Sequence, residues 1–233
     1  MTKVLFDANT VGEVVAHDFR AASIFKNAGI DFCCGGNKSL HQACIEKGID
    51  ATNLEKELNE LNQLPINESQ RFNEWNLDFL CDYIVNTHHK FVIKTLPELV
   101  FYTQKIARVH GSNHPELAEV AILFGKINEE LTQHLQNEED VLFPAIKVAI
   151  KGSVPAANKI IISEITRMRG EHEVAGSAID RISELTQKYL VPADACNTYQ
   201  VALKLLEQFD NDLHIHVHLE NNILYPKAFE LAN

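Results

Sequence analysis

Two stretches of this sequence repeat one arrangement of metal-binding side chains. His134-Leu135-Gln136-Asn137-Glu138 runs on to Leu142-Phe143-Pro144, and His216-Val217-His218-Leu219-Glu220 runs on to Leu224-Tyr225-Pro226. Both read H-x-x-x-E-x-x-x-Leu-aromatic-Pro, 82 residues apart. A helix brings residues four apart onto one face, so each His–Glu pair can aim both side chains at one point. A lone pair of this kind is ordinarily a solvated ion pair; its recurrence in one apolar-aromatic-proline context argues for a shared task. Two further segments offer imidazoles: Thr87-His88-His89-Lys90, with His88 or His89, and Arg169-Gly170-Glu171-His172-Glu173, with His172. Burying such a set without a cation would cost several kcal/mol for each uncompensated charge. Two carboxylates and four imidazoles suit two divalent ions with the glutamates bridging. Nitrogen and oxygen donors without thiolate favour iron or manganese, with zinc admissible, over copper(I) or an iron–sulfur cluster.

The second constellation is the turn Asp31-Phe32-Cys33-Cys34-Gly35-Gly36. Two adjacent thiols lie just before a helix start, which modestly favours thiolate, and the glycines keep the space beside them open. Thiol redox chemistry, or transient capture of iron or nitric oxide, is the chemistry such a turn offers. The five cysteines show no disulfide spacing; Cys81 and Cys196, in helical patterns, read as small buried apolar side chains. His214 and His218 point about 160° away from His216 on a helix and read as surface imidazoles. His110 and His114 lie near a break and read as exposed.

The elements that must position these groups are all helical. Thr10 and Glu13 have capping-box spacing and open a first helix that runs to Gly29; Ser39 and Gln42 repeat the spacing, and Gly48 closes that short helix. Asp50 caps a third helix. Residues 1–64 thus form a small three-helix unit, marginal by itself for its size, so that the second domain or a partner chain, as in a homodimer, would complete it. The polar segment 65–74, with Pro65, reads as a linker. Four long helical patterns follow within 75–233: residues 75–110, where Pro97 should kink or interrupt the helix, 115–150, 155–190 and 194–231. Short connections force neighbouring helices antiparallel, so the fold class is all-α, with an up-down four-helix bundle.

Composition excludes other classes. The 233-residue chain carries a net charge of -11, and neither the part before residue 70 nor the part after it is basic, which argues against nucleic acid. No segment has the uncharged length of a membrane span, and the first ten residues lack the pattern of a secretory signal. The expectation is a cytoplasmic protein, where thiols stay reduced.

The Cys33-Cys34-Gly35-Gly36 turn ahead of a bundle with two H-x-x-x-E motifs resembles the RIC family (repair of iron centres), the ScdA-type di-iron proteins with a hemerythrin-like domain. The likeness covers essentially the whole chain. It implies two non-haem iron ions in a carboxylate-bridged centre, with His89, His134, Glu138, His172, His216 and Glu220 as ligands and Glu171 as an acidic neighbour. It also implies a protein that repairs iron–sulfur clusters damaged by nitric oxide or oxidants, acting on the damaged iron–sulfur proteins as an iron donor. Cys33 and Cys34 would take part through their thiols, provided the N-terminal unit swings over the bundle. Nitric oxide and dioxygen are the small ligands such a centre would meet. A nitric oxide-reducing di-iron enzyme ranks second, and a dioxygen or nitric oxide carrier or sensor third.

Overall fold

The computed structural model describes residues 9–61, 63, 70–152 and 154–233. Among them there is no strand, only an isolated bridge between Thr10 and Ser39. No helix among the described residues is long and apolar enough to cross a membrane.

Four rods build the bundle. The first is α5 (Leu77–Ile84), a π-turn (Val85–His89) and α6 (Lys90–His110); the second is α7 (Glu116–Asn137), a π-turn (Glu138–Leu142) and α8 (Phe143–Ala149). The third is the uninterrupted α9 (Pro155–Leu185). The fourth is α10 (Asn197–Leu219), a π-turn (Glu220–Leu224) and α11 (Tyr225–Ala232). Two apolar clusters fill the interior, one holding Leu80, Ile84, Leu142, Phe143, Met168 and Tyr225, the other holding Val92, Leu96, Leu131, Leu135, Ala175 and Val217. The rods enter these clusters in alternating order, which is the up-down topology expected. The candidate His and Glu residues fall where each rod passes from one cluster to the other.

Pro97 does not interrupt its helix: α6 is continuous from Lys90 to His110. The irregularities lie elsewhere. In each π-turn a carbonyl accepts from the amide five residues on: Val85 from Lys90, Glu138 from Phe143, Glu220 from Tyr225. The extra residue per turn rotates everything beyond it, so that both Leu-aromatic segments face inward. Pro144 and Pro226, which lack the N–H an α-turn would need, sit just past these turns inside rods that continue. The third rod ends at Leu185, earlier than the pattern implied, because Gln187, Lys188 and Tyr189 all take positive φ.

Among its described residues the N-terminal unit holds four short helices, α1 (Val11–His17), α2 (Ala21–Asn27), α3 (Leu40–Lys47) and α4 (Ala51–Leu61). The single first helix expected to Gly29 is two, because Asp18 turns extended and its carboxylate accepts from the Arg20 backbone N–H and guanidinium. Both capping spacings are realised: Thr10 and Glu13 cap each other reciprocally, and Ser39 Oγ accepts from Gln42 N–H. Of the expected linker, residues 65–69 lie outside the described residues. Its end is not loose chain: Phe72–Glu74 is a 3-10 turn, with Phe72 buried and edge-on to Phe19 at 5.3 Å.

The two parts share one apolar cluster, which runs from Val11, Phe25 and Phe32 into the bundle side chains. Asn222, on the π-turn of the fourth rod, joins them. Its Nδ2 lies 3.2 Å from both the Phe32 and Cys33 carbonyl oxygens and 3.1 Å from His218 Nδ1. Gly12 and Gly36 exist to let Asn222 in: a Cβ on Gly12 would lie 2.2 Å from Asn222 Oδ1 and 3.0 Å from the Gly36 carbonyl oxygen. In an open helix, Gly→Ala stabilises by about 1 kcal/mol. Gly125→Ala in α7, where nothing lies within 4 Å of the new Cβ, should follow that sign. Gly12→Ala should reverse it and lower stability by about 1–3 kcal/mol in urea unfolding. The same sign for both variants would mean that the N-terminal unit is not seated on the π-turn.

Candidate metal centre

Each rod delivers its donors to one level of the bundle. His89 comes from the first π-turn, His134 and Glu138 from the end of α7 and the second π-turn, His172 from mid-α9, and His216 and Glu220 from the last turn of α10 and the third π-turn. All six are buried. They form two groups, His89–Glu138–His216–Glu220 and His134–Glu138–His172–Glu220, each with donor atoms within 4.8 Å of one another. Glu138 and Glu220 belong to both.

The contacts show donors converging on common points. His89 Nε2 and His134 Nε2 each lie 3.4 Å from Glu138 Oε2; His172 Nε2 lies 3.3 Å from Glu220 Oε2, and His216 Nε2 2.9 Å from Glu220 Oε1. His134 Nε2 and His172 Nε2 face each other at 3.0 Å. His89 Nε2, Glu138 Oε2 and Glu220 Oε2 are fully buried yet have no hydrogen-bond partner of good geometry. Buried polar atoms are ordinarily satisfied. Orphans aimed at shared points are what cation ligands look like, and the donor set fits iron.

Outer partners orient the rings. His89 Nδ1 pairs with Glu139 at 2.8 Å, His134 Nδ1 with Glu171 at 2.7 Å, and His172 Nδ1 with the Asn221 side-chain oxygen at 3.0 Å. Arg167 holds Glu171 in turn at 2.9 Å. The Tyr225 hydroxyl donates to Glu138 Oε1, and its ring stacks on His172. Such partners fix ring orientation and raise ligand basicity. Glu139, Asn221 and Tyr225 were not singled out in the sequence, although Glu139 and Asn221 each directly follow an H-x-x-x-E glutamate.

His88 is buried too, but its Nδ1 pairs with Asp212 at 2.9 Å and its ring stacks on His216 from outside the groups. His218 is not a surface imidazole: it is fully buried, edge-on to Phe32, because the N-terminal unit covers the face of α10 opposite the donors. Burial pushes it down to about 4, so it is neutral.

Electrostatics within the cage is a balance of charges. Burial alone would lower His89 and His134, but the surrounding carboxylates raise both to about 10. Burial and the neighbouring Glu220 would raise Glu138, yet the imidazoles hold it down at about 2, and Glu220 is likewise held well below the carboxylate range. Two imidazolium protons, one in each group, thus offset two buried carboxylates. A divalent ion entering a group does the same work and displaces the proton.

Cys34 meets the bundle directly in the observed seat of the N-terminal unit. Its Sγ lies 3.4 Å from the carbonyl oxygen of His172. Cys81 is buried, as read from the sequence, but Cys196 is exposed, at the N-cap of α10. His110 Nε2 lies 3.2 Å from its sulfur and lowers the thiol to about 7. Alkylation of Cys196 by iodoacetamide, mapped by mass spectrometry, should therefore reach half its limiting rate near pH 7. His110→Ala should move that midpoint up toward the ordinary thiol value of about 8.5; an unmoved profile would remove the imidazole as the cause.

Comparison with known proteins agrees in both parts of the chain. The ScdA_N family, a domain of unknown function, matches residues 7–62, and the hemerythrin HHE cation binding domain matches residues 82–228. The chain is 33% identical over 227 residues to the iron–sulfur cluster repair protein ScdA of Staphylococcus haemolyticus, covering 96% of this chain and 99% of that protein. It is 32% identical to ScdA of Staphylococcus epidermidis, over 94% of this chain and 96% of the relative. It is 35% identical to the iron–sulfur cluster repair protein YtfE of Yersinia pestis, over 90% and 91%.

Proposed function

The chain belongs to the family of ScdA- and YtfE-type iron–sulfur cluster repair proteins, and from that premise we propose that it repairs clusters by donating iron from a two-iron store in its bundle. His89 and His216 would hold one ion, His134 and His172 the other, and Glu138 and Glu220 would bridge them. The observation that carries this reading is the sharing of Glu138 and Glu220 between two buried donor groups. When bound, the iron supplies both the cargo and a centre open to small ligands such as nitric oxide or dioxygen.

The protein's own residues account for retention and release. Four donors per ion, two neutral imidazoles and two shared carboxylates, hold iron less tightly than a thiolate cage would. Because His89 and His134 bind protons up to about pH 10 when the cage lacks metal, protons compete with iron throughout the physiological range. Acidification therefore favours release, and Glu139, Glu171 and Asn221 steady the rings against it.

We assign residues 1–64 to a thiol-bearing unit, 65–74 to its connection and 75–233 to the iron-holding bundle. The clients are damaged iron–sulfur proteins. The five free cysteines support a cytoplasmic site of action, where thiols persist reduced. Cys34, seated beside the His172 backbone, and its neighbour Cys33 act on iron as it leaves the cage.

Two measurements test this reading. Anaerobically purified protein should carry close to two irons per chain, and Glu138→Gln, which removes a bridging charge from both groups, should lose most of both; one zinc, or no metal, would overturn the assignment. Cys33→Ala combined with Cys34→Ala should leave the iron content intact but abolish restoration of a nitric oxide-damaged cluster enzyme. Full repair by that variant would remove the thiols from the reaction.

A further inference from the structure

The Cys33–Cys34 turn holds donors that the bundle cage does not use. Cys33 Sγ lies 3.9 Å from Cys34 Sγ and 3.1 Å from Asp31 Oδ1, and one donor atom from each of the three residues lies within 4.8 Å of the others. Two sulfurs bound tetrahedrally at about 2.3 Å from a metal are separated by about 3.8 Å. The thiols already stand at the bite of a single ion, and no disulfide joins them.

The local sequence builds this arrangement. The Asp31 carboxylate accepts from the backbone N–H of Cys33 at 2.9 Å, Cys34 at 3.1 Å and Gly35 at 2.8 Å, so the turn curls around it. A side chain at Gly35 would meet the Asp31 carbonyl oxygen at 2.9 Å, and one at Gly36 the Phe32 carbonyl oxygen at 2.9 Å. On the facing helix, a Cβ at Gly176 would come within 3.2 Å of Cys34 Sγ, so glycine leaves that sulfur room. Asp31 and Phe32 also line a cleft of about 480 Å³, together with Lys26, Lys47, Asp180, Asp210 and His214; neither sulfur lines it.

We propose that Asp31, Cys33 and Cys34 form a second metal site, for one borderline-soft divalent ion such as ferrous iron, with a fourth position left open. That the ion is cargo leaving the bundle rests on the repair reading; the donor geometry stands without it. Closed four-ligand sites store a metal, whereas three protein ligands and an open position permit exchange. Two thiols bind one divalent ion as thiolates and release two protons to solvent, with no electron transferred.

The test uses the full chain carrying Cys196→Ser, its bundle first loaded with iron, titrated anaerobically with cobalt(II). One cobalt per chain should bind with thiolate-to-cobalt charge-transfer absorption and release about two protons. Cys33→Ser and Cys34→Ser should each remove that absorption, and Asp31→Asn should weaken binding at least tenfold. In the chain with both thiols intact, cobalt should protect Cys33 and Cys34 from alkylation. Absent absorption, or absorption that survives loss of both thiols, would overturn the site. Bundle iron counted in the same samples separates the two readings: full iron without the cobalt band leaves the repair assignment standing and removes this one. The band without bundle iron does the reverse.

Discussion

Charge buried between two apolar clusters is the constraint on which the rest of this structure depends. Four imidazoles and two carboxylates sit at one level of the bundle, with aliphatic and aromatic layers above and below them. Such a level is stable only if its charges sum close to zero and its polar atoms find partners. Protons on two histidines meet the first need and bound cations meet both.

The π-turns translate that constraint into shape. Three of the four rods widen where a donor must enter the core: at His89, Glu138 and Glu220. The same widened turns carry the groups that steady the centre and attach the rest of the chain to it. On the fourth rod alone, Glu220 faces the donors, Asn221 holds His172 and Asn222 holds the Phe32 and Cys33 carbonyl oxygens. Three consecutive residues thus link the cage, its outer partners and the thiol turn. The N-terminal unit is seated on the bundle for this reason, and its approach to the cage is a property of the folded chain.

A chemical division of labour follows from donor type. The bundle offers nitrogen and oxygen donors, whereas the thiol turn offers sulfur, a softer donor. The thiol turn lies against the His172 backbone.

Much of this was legible in the residues. Helical periodicity and short connections determined an all-α bundle, because no alternating strand pattern competed with them. The repeated H-x-x-x-E spacing determined which helix faces carry donors, since four residues make about one turn. Periodicity could not separate His88 from His89, because neighbours on a helix differ by only about 100°; packing against Asp212 and His216 places His88 outside the cage. The π-turns were hidden, since their extra residue is stabilised by what the widened turn buries, and local sequence does not record that. His218 and Cys196 were misread for one reason. Whether a helix face meets solvent depends on what another part of the chain lays over it: the N-terminal unit covers His218, whereas Cys196 stays exposed with His110 beside it. Spacing determined which side chains could act together, and tertiary packing decided which of them are dry, which are paired and which remain open to a ligand.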